Sequence, residues 1–272
     1  MKKPSHLLAA WVAAAIGIAF VYAPAVATAA EADAAAIMEK NATVFKVVGS
    51  ESAASFVLTN KAGQERLRKT ISSTKLQPNG TDNMRVTRFL SPADVKGTVS
   101  LMIENAAGDD GLWVFLPALK KVRRLASSNM KDSFVGTDFS NADVIGYKIG
   151  EWSYALLREE SVDGEPCYVI QASPKSEAVR SNTGYSKRMQ WVRKDNFMTV
   201  KSELWDEGGE PLKTTSYHDI QLVDATQGKW QAMRLEANNL QTGHRTSIRI
   251  ESFKVSQHVP DDVFTPRYLE RE

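Results

Sequence analysis

The sequence is poor in the residues that most catalytic and metal chemistry requires. A single cysteine, Cys167, excludes an internal disulfide and a thiolate metal cage. It lies between Pro166 and the apolar Tyr168-Val169-Ile170, which suits a small hydrophobe in a sheet face better than a nucleophile. Histidine is scarce as well: His218, His244 and His258 have no ligand spacing and read as surface or edge residues. There is no G-x-S-x-G elbow, no H-E-x-x-H, no G-x-G-x-x-G and no G-x-x-x-x-G-K. Excess charge is missing too. Setting aside Lys2 and Lys3, 32 basic residues face 32 acidic ones, so there is no electrostatic footprint for nucleic acid. These absences lead to the expectation of a protein that is not an enzyme, holds no metal or cofactor and binds no nucleic acid.

What is present is ordinary for a globular protein, with 43% hydrophobic and 24% charged residues, which argues against disorder, collagen and coiled coil. The first thirty residues differ from the rest. A cationic start at Lys2-Lys3 precedes an uncharged apolar run over residues 7–22 and then the small-x-small exits Ala25-Val26-Ala27 and Ala27-Thr28-Ala29. This layout predicts a cleaved secretory signal peptide over residues 1–30, the alternative being an N-terminal membrane anchor. No cysteine stands near the exit to accept a lipid. The rest, residues 31–272, is expected to be one domain outside the cytoplasm, because no Pro/Ser-rich linker divides it.

Residues 31–48 read as a helix with Ala35, Met38, Ala42 and Phe45 on one side. The period then falls to two. Apolar and polar residues alternate over 55–61, 65–75, 83–90, 98–104 and 112–116, and again over 152–159, 167–172, 188–193, 199–205, 214–222, 230–237 and 246–255. Turn pairs such as Asn79-Gly80, Asp110-Gly111, Asp163-Gly164 and Thr242-Gly243 separate the runs. The pattern predicts an antiparallel meander of about eleven long strands. It is interrupted once, over residues 117–150, and loops of that length in a compact domain are often functional. A smaller excursion, residues 173–184, reads as a polar surface loop. Asp132, Asp138 and Asp143 could surround a cation, but turn formation and helix capping near Gly136 and Ser140 explain them more simply.

A large curled sheet must fill its hollow with side chains, a plug or a ligand. Candidates for lining a ligand cavity are Trp113, Phe115, Phe134, Phe139, Trp152, Met189 and Trp191; the alternative is that they only fill the core. The strand 112–116 is apolar on both faces and so should be covered on both sides. Directly after it come Lys120, Lys121, Arg123 and Arg124. Such a cluster is either a solvated strand edge, where cations discourage edge-to-edge pairing, or a docking surface for an acidic partner or lipid headgroups.

The stretch Gly111-Leu-Trp-Val-Phe-Leu-Pro-Ala-Leu-Lys-Lys-Val-Arg-Arg-Leu, followed by Asp132-Ser-Phe-Val-Gly-Thr-Asp-Phe-Ser, resembles the bacterial outer-membrane lipoprotein-sorting proteins, a branch of the LolA-like superfamily. The ending Asp261-Asp262-Val263-Phe264 with Tyr268-Leu269 is similar to the close of such domains. The resemblance implies a mainly β fold: a strongly curved, incompletely closed antiparallel barrel, with a few helices over a concave face that holds acyl chains. It also implies the periplasm, lipid or lipoprotein acyl chains as cargo, and association with an RND-type inner-membrane exporter. A carrier is therefore expected. The alternative is a periplasmic sensory or regulatory module of the same fold that binds a membrane regulator.

Overall fold

The computed structural model describes residues 25–271. Helix α1 (Ala25–Thr43) leads into β1 (Gly49–Thr59), β2 (Glu65–Leu76), β3 (Asn83–Ser91), β4 (Val99–Ile103), β5 (Gly111–Leu116) and β6 (Lys121–Arg124). After a long connection that contains α2 (Asn141–Ile145) come β7 (Trp152–Val162), β8 (Glu165–Pro174), α3 (Glu177–Thr183) and β9 (Tyr185–Arg193). Then follow β10 (Thr199–Asp206), β11 (Pro211–Asp224), β12 (Lys229–Asn239), β13 (Arg245–Val255) and two C-terminal 3-10 turns, Asp261–Phe264 and Pro266–Glu270.

Among the described residues, all thirteen strands form one antiparallel sheet in the order β6-β5-β4-β3-β2-β1-β13-β12-β11-β10-β9-β8-β7. Two meanders, β1–β6 and β7–β13, are therefore joined where the first strand pairs with the last, from Ser50↔Val255 to Thr59↔Arg245. Strands β6 and β7 are the two free edges, and the sheet is not closed. The fold expected from the resemblance is the one observed: mainly β, curved and open, with a few helices.

The segment between the edges shows how strongly the sheet curls. Ile145 packs against Met102 of β4 and Leu112 of β5. Asp143, two residues earlier, pairs with Lys213 of β11. In a flat sheet β4 and β11 would lie six strand steps, about 29 Å, apart, whereas two residues span at most about 7 Å. The face that meets this segment is therefore concave, and residues 125–151 act as a plug within it. Its apolar anchor is an aromatic file: Phe56 of β1 lies 6.2 Å from Phe89 of β3, and Phe89 lies 6.2 Å from Phe134 of the plug.

At the other end of the concave face, Ala34 and Met38 of α1 pack on Trp152, Tyr154, Ile170, Ala172 and Leu204. On the convex face the C-terminal turns lay Val259, Phe264 and Leu269 over Val86, Val99 and Leu101. Strand β5 is thus covered on both sides, with Leu112 under the plug and Trp113 and Phe115 under the C-terminal segment. Gly111 is required there, because a Cβ would stand 2.2 Å from the Trp113 ring.

Several boundaries differ from those expected. The helix begins at Ala25 and ends at Thr43, so Phe45 lies beyond it and is 37% exposed. Of the expected leader, residues 1–24 lie outside the described residues, and its last six open α1. The meander breaks after Arg124 rather than at residue 117, because Lys121–Arg124 pairs with β5 as the edge strand β6. The excursion at 173–184 contains a helix, α3, capped by Ser176, whose Oγ accepts from the Val179 N–H.

Phe89 has no exposed surface and joins sheet to plug. Phe89→Ala is expected to cost about 3–5 kcal/mol of stability in urea unfolding. Leu67→Ala, at a side chain that is 51% exposed, should stay within about 0.5 kcal/mol of the parent.

Candidate functional site

Strand alternation decides which side chains reach the concave face. Opposed pairs across β7, β8 and β9 place Tyr154, Ala172 and Arg188 in one row. The next row runs Gln190, Ser202, Thr215, Ala237 and Thr246 across β9 to β13. A third, on β11 to β1, is Tyr217, Leu235, Ile248 and Phe56. This interior is unusual for a sheet because it mixes buried polar and charged groups with apolar ones: Arg188, Gln190, Ser202, Lys213, Thr215 and Thr246 are all buried.

The plug is held by an ion pair at the centre of this face. Lys213 Nζ donates to Asp143 Oδ2 at 2.5 Å and to the Asp138 carbonyl at 2.7 Å. Asp143 also accepts from the Tyr185 hydroxyl at 3.0 Å, from the Tyr147 hydroxyl and from the Ser140 N–H at 2.8 Å. Ser140 Oγ caps α2 in return, accepting from the Asp143 N–H at 3.2 Å. Burial alone would raise the Asp143 pKa, but the Lys213 charge and these donors outweigh it and hold the carboxyl below its usual value. For Lys213, burial works against the charge and Asp143 overcomes it, so the ammonium is held above its usual value. Burial, reinforced by Asp143, pushes the Tyr185 phenol up to about 12, which keeps it a donor at neutral pH.

Two further ties reach from the plug to the sheet. Asp138 Oδ2 bonds His244 Nδ1 at 2.6 Å and accepts from the Thr246 hydroxyl at 2.7 Å. Arg68 of β2 donates to the Val135 carbonyl. Val135 sits at φ +48, a left-handed conformation that a β-branched residue resists, and Gly136 follows at φ +74. Beside these ties a cleft of about 460 Å³ opens to solvent, lined by Lys131, Asp138, Phe139, Tyr185, Lys213 and His244 among others.

The expected cavity residues do not share one surface. Phe134, Phe139 and Trp152 belong to the concave side, where Phe134 and Phe139 are buried in the plug and Trp152 makes an edge contact with Tyr147 at 5.7 Å. Trp113 and Phe115 face the other way, into the cluster under the C-terminal turns. Met189 and Trp191 also lie on the convex face, with Cys167 and Val169, and Lys201 stacks on Trp191 at 4.2 Å. The physical reason is the two-residue period: Trp113, Leu101 and Val86 are opposed across their strands, and that face is not the one Leu112 and Phe134 share. Cys167 has no exposed surface, and burial pushes its thiol up, away from nucleophilic use.

The four cations are exposed but divided as well. Lys120 occupies the left-handed corner before β6, Lys121 and Arg123 oppose Leu116 and Val114, and Arg124 opposes Trp113 and stacks on it at 5.4 Å. They fringe an edge strand instead of forming one face. Asp143 caps a helix, as the sequence suggested, but its pairing with Lys213 was not legible, since a strand lysine 70 residues away carries no mark of burial. Among the described residues, no group of three or more His, Cys, Asp or Glu side chains could hold a metal ion. No helix among them is long and apolar enough to cross a membrane.

Removing one partner of a buried pair strands the other charge. Lys213→Met is expected to cost about 3–5 kcal/mol, and adding Asp143→Asn should recover part of that loss. A folded pKa below the unfolded one makes the Asp143 contribution present at neutral pH and lost as pH falls through the folded value. A raised Lys213 pKa makes its contribution present below the unfolded value and lost as pH rises through the folded one. The stability gap between parent and double variant should therefore be widest around neutrality and narrow in acid and in alkali, as read from urea midpoints.

Comparison with known proteins supports the fold reading. Residues 81–271, more than two thirds of the chain, match a family described as uncharacterized protein. A search of curated proteins gave no match. The chain is similar to an outer membrane lipoprotein-sorting protein domain from Vibrio parahaemolyticus, at 26% identity and TM-score 0.80, covering 89% of this chain and 100% of that one. It is similar to a DUF1329 family protein from Desulfovibrio piger at 27% identity and TM-score 0.81, covering 88% of this chain and 99% of that one. A LolA superfamily protein from Nitrosomonas europaea shares the fold at 24% identity and TM-score 0.65, over 86% of this chain and 98% of that one. Its structural neighbours thus include an outer membrane lipoprotein-sorting protein domain, a DUF1329 family protein and a LolA superfamily protein, and the chain belongs to the family matched over residues 81–271.

Proposed function

We propose that the protein is a non-enzymatic periplasmic carrier that shields the acyl chains of a lipid or lipoprotein on its concave face and passes them to or from a membrane exporter of the RND type. The observation that carries this reading is an apolar strip on the concave face that stays partly exposed and outside the core clusters. Leu235 of β12 and Ile248, Ile250 and Phe253 of β13 point to the concave side, opposite Tyr217, Phe56, Ala54 and Ser52. Those four apolar side chains remain only partly buried and join none of the core clusters, unlike Phe134 or Trp152 at either side. An acyl chain that must cross water gains about 0.8 kcal/mol for each methylene it buries on such a surface. The lipoprotein-sorting description of the Vibrio parahaemolyticus relative, at 26% identity, agrees with it.

The cations beside β6 suit the second half of the task. Lys120, Lys121, Arg123 and Arg124 fringe an open edge, where a docking membrane or an acidic exporter surface can meet backbone and charge together.

Two measurements test the reading. Affinity for saturated fatty chains should rise about fourfold per added methylene until the strip is filled. Leu235→Asp and Ile248→Asp should each flatten that series, and a series already flat in the parent refutes acyl binding. Reversing the four charges should slow transfer to anionic vesicles, and the parent rate should fall with added salt while equilibrium binding in solution holds. A transfer rate indifferent to both changes returns the cluster to a solvated edge.

A further inference from the structure

The concave face buries a positive charge that the described residues leave unneutralised. Arg188 of β9 is 4% exposed, and its Nε is buried with no hydrogen-bond partner among the described residues. Its guanidinium lies 3.5 Å from the centre of the Tyr147 ring and 4.1 Å from that of Trp152. Rings stack on guanidinium faces and leave the in-plane fork of N–H donors to find acceptors elsewhere. Here Nε is buried without one. The carboxylate of this neighbourhood, Asp143, is committed to Lys213, Tyr147, Tyr185 and the Ser140 N–H. Asp138 is engaged by His244 and Thr246.

The surroundings of Arg188 are also rich in unused donors. Tyr154, two strands away, reaches toward it across the small Ala172, and its hydroxyl has no partner. Burial pushes that phenol up to about 12, so it keeps its proton. Trp152 Nε1 and Thr215 Oγ1 are buried donors without a partner as well, while the Gln190 Oε1 beside them is a buried acceptor without one. Among the described residues, half of the ten unpartnered buried side-chain atoms thus belong to five residues on one stretch of the concave face, β7 to β11. Buried polar groups are normally paired, and an unpaired buried cation is costly. Arg188 is near enough to Tyr217 to act on its phenol, and Tyr217 opposes Leu235, where the apolar strip begins.

We propose that this group of buried side chains receives the anionic oxygen group, carboxylate or phosphate, of an amphiphile whose acyl chain lies along Leu235, Ile248 and Phe253, with Arg188 as its main ligand. The proposal rests on the carrier reading and specifies its cargo as anionic. Three ligands with one oleoyl chain separate the possibilities: oleate, oleoyl lysophosphatidate and uncharged monoolein, titrated against the full chain by calorimetry and tryptophan fluorescence. At least one of the two anions should bind about tenfold or more tightly than monoolein, and the tighter of them identifies the headgroup. Arg188→Gln should lower anion affinity about 10- to 100-fold and leave monoolein unchanged. Tyr154→Phe, which keeps the ring and its packing, should lower anion affinity by a few fold, again without touching monoolein. If all three ligands bind the parent equally, or Arg188→Gln weakens monoolein as much as the anions, the Arg188 assignment is wrong and the carrier reading stands. If none of the three binds, both fall.

Discussion

The pairing of the first strand with the last is the constraint from which the rest of the architecture follows. Once β1 and β13 are hydrogen-bonded neighbours, each meander runs outward, and the chain leaves the first at one free edge and must enter the second at the other. The connection between them has to cross the whole sheet. On the convex side it would have left its carbonyls and N–H groups to water and the hollow empty. Across the concave side it fills space, and the strands on both flanks supply partners for it: Arg68 of β2, Lys213 of β11 and Thr246 of β13. The plug is therefore a consequence of strand order.

Filling a hollow with an irregular segment brings polar backbone into the interior, and the sheet meets that cost with polar side chains. Lys213 and Thr246 would be out of place on a purely apolar inner face, yet each bonds a plug atom. The same device explains why the inner face alternates between apolar rows and polar ones. Away from the plug, the apolar row of Leu235 and Ile248 stays partly exposed. Covered and uncovered parts of one surface differ only in where a single connection happens to run.

The sequence displayed the strands well because their signal is local. Alternation and glycine turns marked twelve of the thirteen, and β6 escaped because a four-residue strand with three cations reads as solvent-facing charge. Strand order was beyond reach, since nothing in β1 or β13 announces a partner at the far end of the chain. The same limit applies to the site. Trp113 and Trp191 are conspicuous, but conspicuous aromatics on a two-faced sheet say nothing about which face is hollow. Arg188 and Lys213 look like common strand cations, and only curvature turns their side of the sheet inward. Asp143 was half legible: its capping of α2 is a contact across three residues, and its ion pair spans seventy.

The seam between β1 and β13 also orders events in time. Ser50 opposes Val255, about two hundred residues later, so no part of β1 can gain its second neighbour until nearly the whole chain has emerged. Pairings this distant in sequence are slow to form, because a long loop must close before any bond rewards it. The two meanders, each built from adjacent hairpins, can form earlier and separately. Until they meet, each presents an unpaired inner strand to solvent, a template for the wrong partner. A chain built this way folds best at low concentration or in the company of a chaperone, and a truncation that removes only β13 should release two half-sheets instead of a weakened whole.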